Sequence, residues 1–280
     1  MRHSKETIQK IIELRKNGFT LGEIVTKTNL SKTTILHHIQ SIPQSSYLKE
    51  KIRIAKLNGQ RKGAAGRKGK SVKSYSFLRP EKWNSDLVNL ISHFLFDGRI
   101  SNYSCTYFNR SETLIQKVKQ GMKDFIVVSD YKIYKSPENV IRIAYHHVEI
   151  ATFIRSKADD LLGYISSAPY EHKISFLKAF FDDEGLMTFN KNKRIVRGYQ
   201  HSIRILNIIK GLLKDLEIES TIDNRQVEIS INKKENIIKF QKLINFTPGL
   251  RINGNRSNSI WKKDLEKRHI LQMAIDSYLS

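Results

Sequence analysis

Apolar residues recur at helical spacing near the start of the chain. Ile8, Ile11 and Ile12, with Leu14, share one helical face, and Asn17-Gly18 ends the pattern. Leu21, Ile24 and Val25 mark a second, short helix. Thr28-Asn29-Leu30 forms a turn, and Ser31 caps a third helix that turns Ile35 and Ile39 inward. The periodicity then lapses: a basic helix is expected at about 46–57, and the tract from Arg61 to Lys70 lacks the apolar spacing needed for a core. From residue 85 one plan runs twice. In the first copy, Ser85 caps an apolar helix ending at Asp97-Gly98, followed by a strand region around Tyr103, Cys105 and Tyr107. A Ser111-capped helix, two strands near 126–135 and 140–146, and a helix at about 148–166 complete it. The second copy opens with a helix at 174–183 ending in Glu184-Gly185. A hairpin, a helix at about 205–216, a hairpin at 220–232 and a helix at about 235–245 follow. A closing amphipathic helix is expected within 257–279. The order α-β-β-α-β-β-α, repeated with a period near 87 residues, predicts an α+β fold of two pseudo-twofold repeats behind a small all-α domain.

Charge sharpens this division. The 280 residues carry 49 Lys+Arg against 27 Asp+Glu, a formal net charge of +22, which points to a polyanionic partner. With 39% hydrophobic residues the chain is no disordered basic tail. No stretch approaches ~18 consecutive apolar residues, and the first residues lack a signal-peptide apolar region, so a cytoplasmic, nucleoid-associated protein without a membrane partner is expected. A single cysteine, Cys105, excludes an internal disulfide framework and a multi-Cys zinc site. Residues 1–42 have net charge +4, residues 43–84 net +10, and the remaining 196 residues net +8. Residues 43–84 therefore read as a basic linker: either a solvated tether or an arm in which Arg61, Lys62, Arg67 and Lys68 run along phosphates.

Chemistry concentrates at two helix ends, Leu90–Gly98 and Leu177–Gly185, both finishing in acid-Gly. An acid there lies at the negative end of the helix dipole, where a cation is preferred. Its recurrence in both repeats suggests that a cation is expected, and Mg²⁺, commonly held by one or two carboxylates, suits Asp97 and Glu184. Gly98 and Gly185 are expected to take positive φ as they turn helix into strand. The nine histidines show no metal-ligand spacing.

Two resemblances follow from these residues. The paired helices whose second member opens Ser31-Lys32-Thr33-Thr34 resemble a helix-turn-helix DNA-binding unit, which implies that Lys32, Thr33, Thr34 and His37 approach base edges. The motif helices, most clearly Phe176-Leu177-Lys178-Ala179-Phe180-Phe181-Asp182-Asp183-Glu184-Gly185, resemble those of the LAGLIDADG homing endonucleases, over about residues 85–275. Leu95 replaces the sixth-position Asp of that motif, and Phe96 and Asp183 fill its normally small seventh position.

With the basic linker, these resemblances give domains at 1–42 (helix-turn-helix), 43–84 (linker) and 85–280 (endonuclease), with repeats at about 85–170 and 173–272. The second resemblance implies motif helices packed through Ser92 and Ala179, and saddle-shaped antiparallel sheets in the major grooves. Asp97 and Glu184 would be catalytic metal ligands, with Arg251 and Lys173 as further catalytic cations. Lys191, Lys193, Arg194, Arg197, Tyr199, His201 and Arg225 would face DNA from the second copy, and Tyr103, Tyr107, Asn109 and Arg110 from the first. The function implied is a monomeric, Mg²⁺-dependent endonuclease cutting specific double-stranded DNA in intron homing. A non-cleaving transcriptional regulator of the same fold and an RNA maturase remain alternatives.

Overall fold

The computed structural model of the chain describes residues 4–65, 77–190, 193–252 and 264–278, the side chains of 60–65 excepted. The chain forms two compact units, residues 1–74 and 75–280. In the first, α1 (Lys5–Lys16), α2 (Leu21–Thr28) and α3 (Lys32–Ile39) enclose a small core of Ile11, Ile24, Ile35 and Ile39. Each helix starts where a side chain can take up a free backbone donor: Ser4 accepts from Thr7, Thr20 and Glu23 form a reciprocal capping box, and Ser31 accepts from Thr34. Asn29, with φ 53°, makes the left-handed turn between α2 and α3. The basic helix α4 (Ser46–Ala65) anchors Leu48 and runs eight residues beyond its expected end. Gly59 and Gly63 each disfavour helix by about 1 kcal/mol, which the surrounding Lys, Arg, Gln, Leu and Ala residues offset.

The second unit carries the repeated plan. Repeat one is α5 (Ser85–Phe96), β1 (Gly98–Ile100), β2 (Cys105–Asn109), α6 (Glu112–Phe125), β3 (Lys132–Lys135), β4 (Ile141–Tyr145) and α7 (Val148–Tyr164). Repeat two is α8 (Tyr170–Glu184), β5 (Gly185–Asn190), β6 (Lys193–Tyr199), α9 (Ile203–Asp215), β7 (Thr221–Asp223), β8 (Glu228–Ile231) and α10 (Lys234–Leu243), with α11 (Lys267–Asp276) closing the described chain. The two antiparallel sheets have matching orders, β1-β2-β4-β3 and β5-β6-β8-β7, so the αββαββα plan is realised twice. One hydrophobic core spans both repeats, and Phe77 and Trp83, from the end of the expected linker, pack against it. Among the described residues no helix is long and apolar enough to cross a membrane.

The motif helices α5 and α8 pack against each other, and Ser92 and Ala179 are both fully buried. Across this contact the fourth position of each motif meets the seventh of the other, with opposite chemistry on the two sides. Phe96 packs edge-on against Phe180, with centroids 5.2 Å apart, whereas His93 Nδ1 lies 2.8 Å from Asp183 Oδ2. The glycines after the acids are needed for a different reason than expected. Gly185 is extended (φ −90°, ψ 152°), and Gly18 and Gly249 are the positive-φ glycines of the described chain. A Cβ on Gly98 would lie 2.0 Å from the Phe94 carbonyl oxygen, and one on Gly185 2.4 Å from that of Phe181. Each strand leaves its helix so closely over the last turn that no side chain fits.

Candidate active site

Asp97 terminates α5 and Glu184 is the last residue of α8, so the paired helices deliver both carboxylates to one place. Burial is the main force raising both acids, and neighbouring carboxylates add to it. Asp97 is pushed up to about 7, with Asp183 the second cause, and Glu184 to about 8, with Asp97 and Asp183 contributing. Half-buried acids that repel one another while protein donors only partly compensate form a site suited to a cation. Their oxygens match the hard-donor preference of Mg²⁺, which completes its shell with water or phosphate rather than a protein cage. Among the described residues there is no group of three or more ligating side chains.

A polar network surrounds this pair. Asn109, at the end of β2, donates from Nδ2 to Asp97 Oδ2 at 2.8 Å, while its Oδ1 accepts from the backbone of Ser111 at 2.9 Å. Tyr107 OH donates to Asp183 Oδ1 at 2.6 Å. The Asp183 and His93 side chains are essentially inaccessible; burial lifts Asp183 well above the carboxylate range and takes His93 down to about 3, leaving the imidazole neutral. Asp182 turns the other way. It accepts from Thr247 N at 2.8 Å and Thr247 Oγ1 at 2.6 Å, with Lys117 Nζ at 3.4 Å, so the sixth motif position ties α8 to the segment after α10.

Among the described residues, Lys267 at the start of α11 is a cation that acts on both Asp97 and Glu184. Its Nζ donates to the Asp182 carbonyl at 3.0 Å, and the charges of Asp182, Asp183, Asp97 and Glu184 all act on it. Burial nevertheless lowers its pKa below the ordinary lysine value, as it does for Lys117.

Residues 171–245 match the model of the LAGLIDADG-like domain. That stretch runs from α8 through α10, so the LAGLIDADG-like match covers repeat two and includes Glu184. Curated protein sequences give no match. Among solved structures, mesophilic variants of the homing endonuclease I-DmoI are similar at 18% identity, over 57% of this chain and 95% of that one, with a TM-score of 0.46. I-DmoI in complex with DNA and Mn gives 18%, 57%, 96% and 0.45. The N-terminal LAGLIDADG domain of DUF199/WhiA gives 16%, 60%, 87% and 0.46.

The remaining nominated residues divide clearly. Lys173 lies in the first turn of α8, about 16 Å of helix from Glu184, and pairs with Asp215 at 2.6 Å. Its place as a catalytic cation is not supported. Arg251 is exposed and bridges Glu266 through its backbone, one residue before Lys267. Strand parity corrects three DNA-facing assignments. Tyr107 and Asn109 lie on the core side of their sheet, bonded to the acids, and Arg194 lies on the core side of β6, where it donates to Ser277 Oγ and O at 2.7 and 3.1 Å. Arg197 and Tyr199 occupy the opposite, outer face; Arg197 pairs with Glu228 at 3.5 Å. Lys193, His201 and Arg225 are exposed on repeat two, as are Tyr103 and Arg110 on repeat one. On α3, Lys32, Thr33 and His37 are exposed and Thr34 is half-buried, sharing its hydroxyl with Ser31 at 2.8 Å. Arg67, Lys68 and Lys191 lie outside the described residues, as do the side chains of Arg61 and Lys62.

Sequence reasoning missed Lys267, the inward roles of Tyr107 and Asn109, and Leu36, which is 50% exposed beside Thr33 and His37. The alternation Cys105, Tyr107, Asn109 signalled a shared face; the bonds of Tyr107 and Asn109 to Asp183 and Asp97 identify that face as the inner one.

Proposed function

We propose that this chain is a site-specific, metal-dependent endonuclease of the homing type that acts on double-stranded DNA as a monomer. The observation carrying this reading is the convergence of Asp97 and Glu184 at the ends of two packed helices, where burial and mutual repulsion hold both carboxyls near 7 and 8. Asp97 and Glu184 would hold Mg²⁺, which when bound activates water and stabilises the leaving oxygen. Lys267 neutralises negative charge beside the acids, and Asn109 holds the Asp97 carboxylate in orientation. The outer faces of the two sheets present Arg99, Lys132 and Arg142 from repeat one, and Lys193, Arg197, Tyr199 and Ser230 from repeat two. Ribbons of this kind can read a major groove. On α3, Lys32, Thr33 and His37 add a second reading head; Leu36 beside them supplies an apolar surface suited to a thymine methyl group. The basic α4 and the tract after it supply phosphate contacts and raise the effective concentration of the second module. Action on genomic DNA places the protein at the nucleoid.

The test is incubation of the full chain with Mg²⁺ and a duplex library covering the flanks of its own gene. Site-specific double-strand breaks are expected. Tight, sequence-specific binding without cutting would replace this reading with that of a regulator, and selective binding of structured intron RNA with the maturase. In the same assay Lys173→Ala should cut at the wild-type rate and lose at most about 1 kcal/mol of stability in urea, because its ion pair is partly exposed. A rate loss matching that of Asp97→Asn would return Lys173 to the site.

A further inference from the structure

The seventh position of the second motif holds a carboxylate where the resemblance implies a small residue. A buried acid is costly unless donors converge on it, and here they come from the other repeat. Tyr107 OH donates to Asp183 Oδ1 at 2.6 Å, and His93 Nδ1 meets Oδ2 at 2.8 Å. Asn109 Nδ2 lies 3.2 Å from Tyr107 OH, 3.5 Å from Asp183 Oδ1 and 2.8 Å from Asp97 Oδ2. An amide nitrogen has two hydrogens. One goes to Asp97 and the other to the Tyr107–Asp183 pair, while the amide oxygen is held by Ser111 N. The amide plane of Asn109 is thereby fixed at all its corners, and with it the carboxylate of Asp97.

We propose that Asp183, acting through Tyr107 and Asn109, is a positioning residue for Asp97, so that the first repeat's acid is oriented by the second repeat. The inference rests on the reading of Asp97 and Glu184 as the metal-holding pair. The arrangement is one-sided. Gln200 holds Ser202 N at 3.3 Å as Asn109 holds Ser111, but the residue matching Tyr107 in strand register is Gly198. A Cβ on Gly198 would stand 2.4 Å from the Phe180 ring, so no side chain there can pass an orientation on to Glu184.

Mn²⁺ binding to the full-length protein, read from the electron paramagnetic resonance signal of free Mn²⁺, tests this beside urea unfolding. Tyr107→Phe and Asn109→Ala are expected to weaken Mn²⁺ binding by about tenfold, the scale of supporting contacts around metal ligands, while remaining folded. Asp183→Asn, which keeps the shape and an acceptor for Tyr107, should lie closer to wild type than Asp183→Ala. Wild-type Mn²⁺ affinity in Tyr107→Phe and Asn109→Ala, whatever their stability, would reduce the network to interface packing and overturn the proposal. Asp97→Asn and Glu184→Gln serve as controls. If they too bind Mn²⁺ like wild type, the metal-site reading fails and this proposal fails with it.

Discussion

Asp97→Asn and Glu184→Gln are each expected to slow Mg²⁺-dependent cleavage on the order of 10³-fold, since metal-borne charge stabilisation is worth several kcal/mol and each 1.36 kcal/mol is tenfold in rate. The same variants should make the metal-free protein more stable. Asp97 rises from 3.8 to about 7 and Glu184 from 4.5 to about 8 on folding. Below about pH 3 both groups are largely protonated whether or not the chain is folded, and neither costs stability. As pH climbs towards 8 the unfolded chain releases protons that the folded site retains, so metal-free stability falls through that window and levels off above it. Replacing either acid by its amide flattens the curve, by a few kcal/mol at most given the partial exposure of both groups. Added Mg²⁺ should reverse the ranking, because cation binding displaces the same protons and stabilises only the protein that keeps both acids. Urea titrations from pH 4 to 9, with and without Mg²⁺, read both signs. A wild-type curve that rises with pH in the absence of metal would contradict this account.

Lys267→Met should be the most destabilising single change near the site. Methionine keeps the length and much of the volume of lysine, so packing is largely spared. The loss is the positive charge facing four acids. Removing one partner from a buried charged set costs about 3–5 kcal/mol. The acids can escape part of that cost by taking up protons, so the loss should be largest at pH 8.5 and shrink towards pH 6. Adding Asp183→Asn should restore part of the stability, which a double-mutant cycle in urea would measure. Cleavage should fall as well and should not recover in the double variant. Equal destabilisation at both pH values would indicate lost packing rather than lost charge.

The hydrophobic periodicity was enough to reveal the twofold repetition and the two acids, since both are properties of single helices and their order. What it could not supply depends on packing between elements. A period of two groups Cys105, Tyr107 and Asn109 on one face of β2, yet Thr106 and Phe108 form an equally mixed set on the other. Only the helix pair behind the sheet decides which is inner. Acid-Gly spacing indicated a tight helix-to-strand turn, but the cause is the proximity of the Phe94 and Phe181 carbonyls, invisible in local propensity. Lys173 was attractive because it precedes the second motif, and the length of α8 carries it away from the acids. Lys267 has no sequence relation to Asp97 or Glu184 at all; only folding of α11 against repeat two makes it their neighbour.

The unlike contacts of α5 and α8, phenylalanine on phenylalanine at one side and histidine on aspartate at the other, give the pseudo-twofold axis a direction. Two copies of repeat one would set Phe96 against His93. Two copies of repeat two would bury Asp183 against Phe180 with neither Tyr107 nor His93 to receive it. The two halves share one strand order, but the contacts across the helix pair disfavour such self-pairing. Separated, the halves would behave as lock and key, each recognising the other and rejecting itself.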